Sequence, residues 1–434
     1  MKFPISAFAH SKIILACLQV LFILSLPVKT IAQKNLTLEE ARQLALKQNK
    51  KIIQAQYNIE AARAVQQGTQ GLNKPAIDGS VSAFHVGKPL SSLLPAVGVS
   101  PSVTVSQPIY AAGKIKLGQA AAAKGVEIYE QQKALSETEV LLNVENAYWQ
   151  IASVNEKIIL ANRYKVLLES LENDLSNSFN AGMIYKNDLL RVRVQRNENE
   201  LNLAKVNDGL ILSKLNLAQI IGMPGDASIA ISDSVTGSFQ SVAGDSLFNA
   251  ADNRVEIVLL KKSLEAQELQ KKLLQAEFKP TVGLLAGGFA GVGKKMNFTT
   301  GGNTIASYFG MISVSIPILD WGQKASKVKE QTYRINAQQS QIEEARELVS
   351  LEVQDAYMKL NQSARKIELS NASVIQAEEN LRLSNDRFKA GTITGQDVLE
   401  AQTLWQQANS NVIDAKVDYK INEAVYRKAI GEIR

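Results

Sequence analysis

The chain has 434 residues, 48 basic against 42 acidic side chains and a formal net charge of +6. This small excess is spread along the sequence without a basic run, which argues against a nucleic-acid partner. One cysteine and two histidines provide neither a Cys/His zinc set nor a histidine-centred catalytic group, so we predict no enzyme, no metal site and no cofactor.

Residues 1–32 have the layout of a secretory signal peptide. Lys2 and Lys12 form its positive end, Ile13 to Val28 its apolar core, and Ala32 its last small residue. Its removal takes away three lysines and Cys17, which leaves a net charge of about +3 (45 minus 42) and no cysteine. After it, no apolar run reaches the about 18 residues of a membrane-spanning helix, so any membrane crossing would be made of strands.

The mature chain begins with a helix and a pair of strands. Thr37, with Glu40 three residues later, is a capping box, and the helix that it begins should extend to about Asn73, before Pro75. Residues 75–110 form the predicted strand pair. Its second half alternates between an apolar side, Val99, Val103 and Val105, and a polar side, Ser100, Ser102, Thr104 and Ser106. This alternation is typical of a strand with two different faces.

Residues 113–178 predict one very long helix, because they contain no proline and little glycine. At 1.5 Å per residue this helix would be about 100 Å long. Its apolar side chains recur every seven residues, at Val140, Ala147, Val154, Ala161, Leu168 and Leu175. A heptad repeat sustained over this length indicates helices packed side by side in a coiled coil.

The long helix ends in a tight turn at Ala181-Gly182-Met183, where glycine can adopt the left-handed conformation that reverses the chain. A return helix is predicted for residues 187–222, which completes a first structural unit at 33–222. Residues 223–245 are rich in Gly, Ser and Asp and are predicted to be a connector between two units, in the equatorial region of the helices.

The second half of the chain repeats the first. From Pro108 onward the offset is constant at 209 positions, for example from Pro108 to Pro317 and from Gly182 to Gly391, and before it the offset is slightly smaller, as from Asn49 to Asn253. The repeat predicts a second unit at 246–434, with a helix, a strand pair at 280–319, a long helix at 322–387 and a return helix at 396–431. Pro108 and Pro317 should mark the swivel from strand to helix, because proline cannot donate to a strand ladder.

These elements predict a mainly α protein with a small β part, built by internal duplication. Four strands cannot close a barrel by themselves, and open sheet edges are not tolerated in lipid. If the strands cross a membrane, the chain must therefore share its sheet with other copies.

Several segments resemble the TolC-like outer membrane efflux protein family, also called outer membrane factors. Asn253-Arg254-Val255-Glu256-Ile257 resembles the family's Asn-Arg-Pro-Glu-Ile segment, and Asp397-Val398-Leu399-Glu400 resembles the start of its inner helix. Both glycine turns resemble its helical tips. The resemblance implies a homotrimer in the outer membrane of a Gram-negative bacterium. Each chain would give four strands to a trimeric 12-stranded β-barrel and its helices to a long coiled-coil α-helical barrel in the periplasm.

The resemblance also implies a function and partners. The chain would be the channel-tunnel of a tripartite efflux or type I secretion system, surrounded by outer membrane lipid. Solutes or proteins would pass through it passively, from a periplasmic adaptor (a membrane fusion protein) and an inner-membrane pump of RND or ABC type to the cell exterior. The residues that would contact the adaptor are those of the tips, Ala181, Gly182, Met183, Ala390, Gly391 and Thr392.

By the same resemblance, Asp397 and Glu400 would form the pore constriction, where three copies would give rings of carboxylates. The alternative is that both acids only complement the start of a helix. Where family members often close the entrance with a Tyr and an Arg, this chain has Phe388 and Ile393, which carry no charge. We therefore predict that tip closure depends on coiled-coil packing, with a contribution from Asp188.

The main alternative interpretation is a periplasmic adaptor or structural coiled-coil protein that binds partners without forming a pore. Adaptors normally carry one helical hairpin on compact β domains, whereas this chain has two matched hairpins, each with its own strand pair. A separate motif, the G-x-x-x-x-G-K spacing from Gly288 to Lys294, matches a phosphate-binding loop. Lys295 stands in place of the usual Ser or Thr and no helix is predicted to follow, so we expect no nucleotide site.

Overall fold

The computed structural model describes residues 34–92, 94–242, 252, 254–297 and 299–433. The predicted signal peptide at 1–32 lies outside these residues, as do positions 243–245 of the connector and Asn253 of the segment that resembles the family. The described chain is mainly helical, with one four-stranded and one two-stranded sheet.

The order of elements is duplicated. The first unit comprises β1 (Lys34–Leu36), α1 (Leu38–Gln48), α2 (Lys50–Gln70), β2 (Ala76–His85), β3 (Val97–Tyr110), α3 (Lys114–Asn180) and α4 (Lys186–Ile220). The connector contains β4 (Ile229–Ile231). The second unit comprises α5 (Val255–Ala276), β5 (Thr281–Gly293), β6 (Thr304–Ser315), α6 (Gln323–Lys389) and α7 (Gly395–Ala429). Each unit therefore presents a strand pair, a long helix and a return helix in the same order.

The first helix is broken, where the sequence predicted one continuous helix to about Asn73. Asn49 has an extended backbone conformation, and its side chain accepts a hydrogen bond from the Lys51 N–H at 2.9 Å, as the N-cap of α2. Its side-chain amide also donates to the Ile220 carbonyl at 2.7 Å, which docks the break onto the end of α4. Asn competes with helical hydrogen bonding through such local contacts, and this competition ends α1.

The long helices α3 and α6 have 67 residues each and carry much of the core. The six heptad residues of α3 from Val140 to Leu175 are all buried. α3 packs against α2, α4, α5 and α7, whereas α6 packs against α5 and α7, so that α4 and α6 lie at the two sides of the helical layer. No helix among the described residues combines the length and the apolar character needed to cross a membrane.

Strands β2, β3, β5 and β6 form one antiparallel sheet in that order. Val103 of β3, for example, lies between Gly79 of β2 and Gly288 of β5. Residues directly opposite each other share a face of the sheet, so the register defines two faces. The central pairing joins the first unit to the second and leaves β2 and β6 as the sheet edges.

The prediction that Pro108 ends the strand is wrong. β3 continues to Tyr110, and Pro108 still pairs opposite Gly283. The pairing with β2 stops at Ser106, so beyond this point β3 has a neighbour on one side only, where proline is tolerated. Pro317 lies two residues after Ser315, the last strand residue of β6.

The change of direction from strand to helix takes place at Gly113 and Gly322. They are the N-caps of α3 and α6 and have φ angles of 82° and 85°. These left-handed conformations favour glycine, so the swivel lies several residues after each proline.

The two-stranded sheet was not predicted. β1 pairs in parallel with β4, which joins the first described strand to the connector. The fully buried Tyr148 of α3 holds this sheet. Its hydroxyl lies 2.9 Å from the Leu36 carbonyl and 2.7 Å from the Asp233 carboxylate, either of which can accept its proton. Burial raises the pKa of Tyr148, so the hydroxyl stays protonated.

A buried carboxylate connects the two units near the middle of the helices. Glu145 of α3 is fully buried and forms an ion pair with Arg42 of α1. Arg427 of α7 lies 3.6 Å from the same carboxylate oxygen. An unpaired buried charge costs several kcal/mol, so the Glu145 carboxylate requires its arginine partners. The pairing with Arg42 and Arg427 therefore connects α1 and α3 of the first unit to α7 of the second.

We predict that Tyr148→Phe destabilises the fold by about 1–2 kcal/mol, because it removes the hydrogen bonds of this hydroxyl to the Leu36 carbonyl and to the Asp233 carboxylate. Tyr357, its equivalent 209 positions later, makes no such hydroxyl contact with the residues that the structure describes, and it serves as the matched control. Tyr357→Phe should change the free energy of unfolding by less than about 0.5 kcal/mol. Urea unfolding of both variants in detergent measures the difference. Equal effects would show that the hydroxyl of Tyr148 does not hold the small sheet.

Candidate functional site

The two helical tips are built by the same backbone motif. Gly182 and Gly391 have φ angles of 72° and 71°. The N–H groups of each glycine and of the next residue, Met183 or Thr392, donate to carbonyls of the last helical turn at 2.9–3.0 Å. This Schellman arrangement satisfies the helix end and reverses the chain within a few residues.

All six tip residues are exposed in the single chain, namely Ala181, Gly182, Met183, Ala390, Gly391 and Thr392. The tips differ in chemistry. Met183 and Tyr185 of the first tip are 72% and 83% exposed, whereas Thr392 and Thr394 stand at the equivalent positions of the second. The first tip therefore presents apolar and aromatic surface, and the second presents hydroxyls.

Asp397 lies in the first turn of α7 and stabilises the start of that helix. Its carboxylate accepts hydrogen bonds from the Thr394 hydroxyl at 2.7 Å and from the Thr394 N–H at 2.8 Å. These bonds, that of the hydroxyl first, lower the pKa of Asp397. Glu400 lies one turn further along and is exposed. The capping role of Asp397 is thus present within one chain, and a constriction by Asp397 and Glu400 stays a prediction.

Asp188, the equivalent of Asp397 in the first unit, has a different environment. Residue 185 is Tyr instead of Thr, so no side-chain hydroxyl caps α4 in the way that Thr394 caps α7. Asp188 is partly buried and borders a groove of about 710 Å³ between the two tips. The groove is also lined by Met183, Phe388 and Ile393.

Phe388 and Ile393 lie in an apolar cluster that joins the two tips. They pack, partly buried, against a group that includes the buried Leu175, Leu189 and Val398. A Cβ atom added at Gly395 would come within 2.6 Å of a Leu175 methyl group, so only glycine allows α7 to approach α3 this closely. The uncharged residues that replace the family's Tyr and Arg thus contribute to packing.

One polar contact between the tips was missed by the sequence analysis. Arg191 of α4 donates a hydrogen bond to the side-chain oxygen of Gln396 in α7. α4 and α7 otherwise touch little, because α3 lies between them. No periodicity or motif in the sequence relates two polar residues 205 positions apart, so sequence patterns offered no signal for this pair.

One face of the four-stranded sheet is apolar and exposed. Following the register, this apolar face carries Ile77, Val81, Ala83, Val97, Val99, Val103, Val105, Val282, Leu284, Val292, Tyr308, Ile312 and Val314. From Val282 to Val292 there are ten residue steps, about 34 Å of strand at 3.4 Å per residue. A strand tilted by about 40° would then span about 26 Å, close to the apolar band of an outer membrane barrel.

The opposite face is more polar near the helices than near the loops. The Ser80 and Ser102 hydroxyls are 2.8 Å apart on this face. From its middle to the loop end it also carries aromatic residues, which the predicted Ser/Thr face did not include. The Phe309 ring packs over Gly287, where an added Cβ would lie 3.2 Å from the ring. The Phe84 ring covers Gly98 in the same way.

The sides of the helical layer expose apolar residues as well. α4 exposes Val194, Leu201, Ile211 and Leu212, and α6 exposes Leu348, Leu351, Met358, Leu369 and Ile375. These helices lie at opposite sides of the layer. Together with the unpaired edges of β2 and β6, they leave two surfaces of the chain without partners.

Comparisons with known proteins agree with this arrangement. A profile of the family described as Outer membrane efflux protein matches residues 41–223 and 247–432. The sequence is similar to Outer membrane protein TolC of Escherichia coli K12, with 24% identity over 394 residues, 83% of this chain and 79% of that protein. It is also similar to TolC of Salmonella enteritidis, with 22% identity over 392 residues and the same coverage of both chains.

Solved structures share the fold. The open state of the Neisseria gonorrhoeae MtrE outer membrane channel superposes with a TM-score of 0.76 at 18% identity, covering 92% of this chain and 89% of that one. The Campylobacter jejuni CmeC outer membrane channel gives a TM-score of 0.75 at 18% identity, covering 91% and 85%. The similarity covers both units and the sheet, so it concerns the whole described architecture.

We predict that acid loosens the second tip at the start of α7. The lowered pKa of Asp397 means that its stabilising contribution is present above the ordinary aspartate pKa and is lost as the pH falls through the lowered value. Asp397→Asn should remove this contribution at neutral pH. Hydrogen exchange at the start of α7, normalised to an unstructured peptide, should be faster in the variant at pH 7 and should approach the wild type below about pH 4.

Asp188→Asn is the matched control, because Asp188 lacks the threonine cap. It should leave the exchange at the start of α7 unchanged at every pH. An Asp397→Asn protein with wild-type exchange at neutral pH would exclude the capping role.

Proposed function

Because the chain belongs to the outer membrane efflux protein family, we propose that it is an outer membrane channel-tunnel that conducts solutes or proteins passively out of the periplasm. One observation carries this proposal. The four-stranded sheet exposes an apolar face about as tall as the outer membrane band, and each strand pair leads directly into a helix of about 100 Å. The sheet lies in the outer membrane, and the helices extend into the periplasm.

Three copies close the tube in this proposal. The edges β2 and β6 have unpaired backbone groups, and the apolar face on the same strands excludes water as their partner. Pairing β6 of one copy with β2 of the next satisfies both edges. It also brings α6 of one copy towards α4 of the next, where both helices expose apolar side chains. Twelve strands from a trimer are the closed arrangement that fits the family.

The tips are the proposed periplasmic entrance. Their six exposed residues, three in each tip, would contact a periplasmic adaptor that delivers cargo from an inner-membrane pump of RND or ABC type. The groove between the tips combines apolar side chains such as Met183 and Ile184 with polar ones such as Asn177 and Lys389, a lining that suits an amphipathic helical hairpin. Asp397 and Glu400 would line the narrowest part of the tunnel, where three chains place six carboxylates around one axis.

Closure of the entrance is assigned to packing, in agreement with the apolar cluster that contains Phe388 and Ile393. Asp188 borders the same groove. The Arg191–Gln396 hydrogen bond adds a polar link between the tips, which the sequence-based proposal did not include. Opening would separate α7 and α4, and would therefore break this link.

The function is tested on the mature protein extracted from outer membranes. A channel requires detergent for extraction, yields a trimer on chemical crosslinking, and produces stepwise ion conductance in a planar lipid bilayer. A pore-free adaptor would instead be extracted without detergent or fractionate with the inner membrane, and would produce no steps. Nothing in the comparisons supports this second interpretation. A protein that is extracted without detergent and produces no conductance steps would favour it over the channel.

We predict that Arg191→Ala raises the open probability of the resting channel several-fold, because it removes the hydrogen bond between the tips. Arg193→Ala is the matched control. Arg193 pairs with Glu172 inside one hairpin at 2.9 Å, so its loss leaves the contact between the tips intact. Single-channel recordings at equal protein load compare the two variants. Equal open probabilities would show that the Arg191 contact does not hold the entrance closed.

A further inference from the structure

The loop end of the four-stranded sheet carries only positive charge. The loop between β2 and β3 contains Lys88, and the loop between β5 and β6 contains Lys294 and Lys295. No Asp or Glu occurs between Gly79 and Val126, or between Phe278 and Leu319. At the helix end of the same sheet both signs occur, since Glu277 and Asp320 lie there beside Lys279.

These three lysines, which we call the loop-rim lysines, are exposed and unpaired. None of them has an ion pair within the part of the chain that the structure describes, whereas lysines of the helices such as Lys124 and Lys262 do. A cation without a nearby acid retains its full attraction for an anion outside the chain.

The loop that carries two of them is held in place from within. The Lys295 N–H donates to the side chain of Asn303 at 3.2 Å, and the buried Met296 covers Gly291, where an added Cβ would lie 2.4 Å from its terminal methyl group. Lys294 and Lys295 are therefore presented by an ordered turn. Less side-chain and backbone freedom is lost when such groups bind a partner.

The position of Lys294 relative to the apolar face suggests what this partner is. Val292 and Val99 pair near the loop end of the apolar face, Val97 lies one row further, and Lys294 follows directly after β5 ends at Gly293. β5 is flanked by β3 and β6, so Lys294 stays accessible when the sheet edges are paired. A cation one row beyond an apolar band that faces acyl chains lies at the depth of lipid headgroups.

We propose that the loop-rim lysines bind the phosphate groups of lipid headgroups in the outer leaflet of the membrane. The proposal rests on the proposed function for the orientation of the sheet. A trimer would present nine such lysines around its outer rim, in a leaflet where phosphorylated lipids supply the counter-charges that the chain lacks. The partner is a lipid surface, and free phosphate is an outcome that the experiment separates.

The test uses the full mature trimer in phosphatidylcholine vesicles that contain a trace of spin-labelled lipid. Electron spin resonance measures how strongly labelled phosphatidic acid, relative to labelled phosphatidylcholine, occupies the boundary of the protein. The triple substitution Lys88→Gln, Lys294→Gln and Lys295→Gln should reduce this preference about fivefold or more, since one lysine near an anionic surface is worth roughly a factor of five.

The matched control removes the same charge from the helix end, as Lys74→Gln, Lys116→Gln and Lys279→Gln, and should change the preference less than about twofold. An unchanged preference in the loop-rim variant, or an equal loss in the control, would overturn the proposal. The proposal would also be overturned if inorganic phosphate displaced the labelled phosphatidic acid while chloride of the same ionic strength did not.

Conductance in planar bilayers separates this proposal from the proposed function. A chain that conducts but shows no preference for phosphatidic acid contradicts the lipid contact alone. A chain that inserts and shows the preference without any current contradicts the channel and leaves the lipid contact standing. Trimer content in detergent, measured for both triple variants, shows that a loss of preference is not a loss of assembly.

Discussion

The unpaired edges of the four-stranded sheet are the constraint on which the rest of this architecture depends. The backbone groups along β2 and β6 have partners on one side only, and the apolar face formed by the same strands keeps water from replacing the missing partners. Only further strands can satisfy them. Because each strand pair leads through a left-handed glycine into a long helix, closing the sheet also arranges the helices around the same axis. Below the sheet, the heptad packing of α3 and α6 holds helices side by side, as backbone hydrogen bonds hold the strands side by side within the sheet.

Internal duplication supplies the two units of the chain, and contacts that are not repeated join these units to each other. Glu145 has arginine partners from two other helices, one in each unit, and its own equivalent in the second unit is Gln354. Tyr148 holds strand β1, whereas Tyr357 contacts the ring of Tyr426. Residues that build the repeated backbone are therefore repeated, and residues that connect the repeats to each other and to the connector occur once.

The sequence predicted the features that many residues specify together. The long helices follow from an apolar position repeated every seven residues over about ten helical turns, and the two-faced strand follows from alternation along β3. Features that depend on one residue or on a distant pair were missed. The break at Asn49 depends on one side chain that caps a helix and binds the Ile220 carbonyl. The β1–β4 sheet has strands of three residues, too short for alternation to be visible. The role of Pro108 was predicted wrongly because a strand tolerates proline where it lacks a neighbour on one side. Local sequence does not reveal where β2 stops pairing with β3.

The unlike helix starts at Tyr185 and Thr394 have a consequence for symmetry. In the proposed trimer, three chains would carry six tips, and because both units have the same order of elements and the same tip backbone, these tips would approach a sixfold ring in outline. Their side chains reduce it to a threefold ring in which aromatic and hydroxyl-bearing sites alternate. Six identical subunits seated on such a ring could not all make the same contacts. They would either pair off as three dimers or hold three sites tightly and three loosely, and the stoichiometry of the complex would be governed by the weaker set.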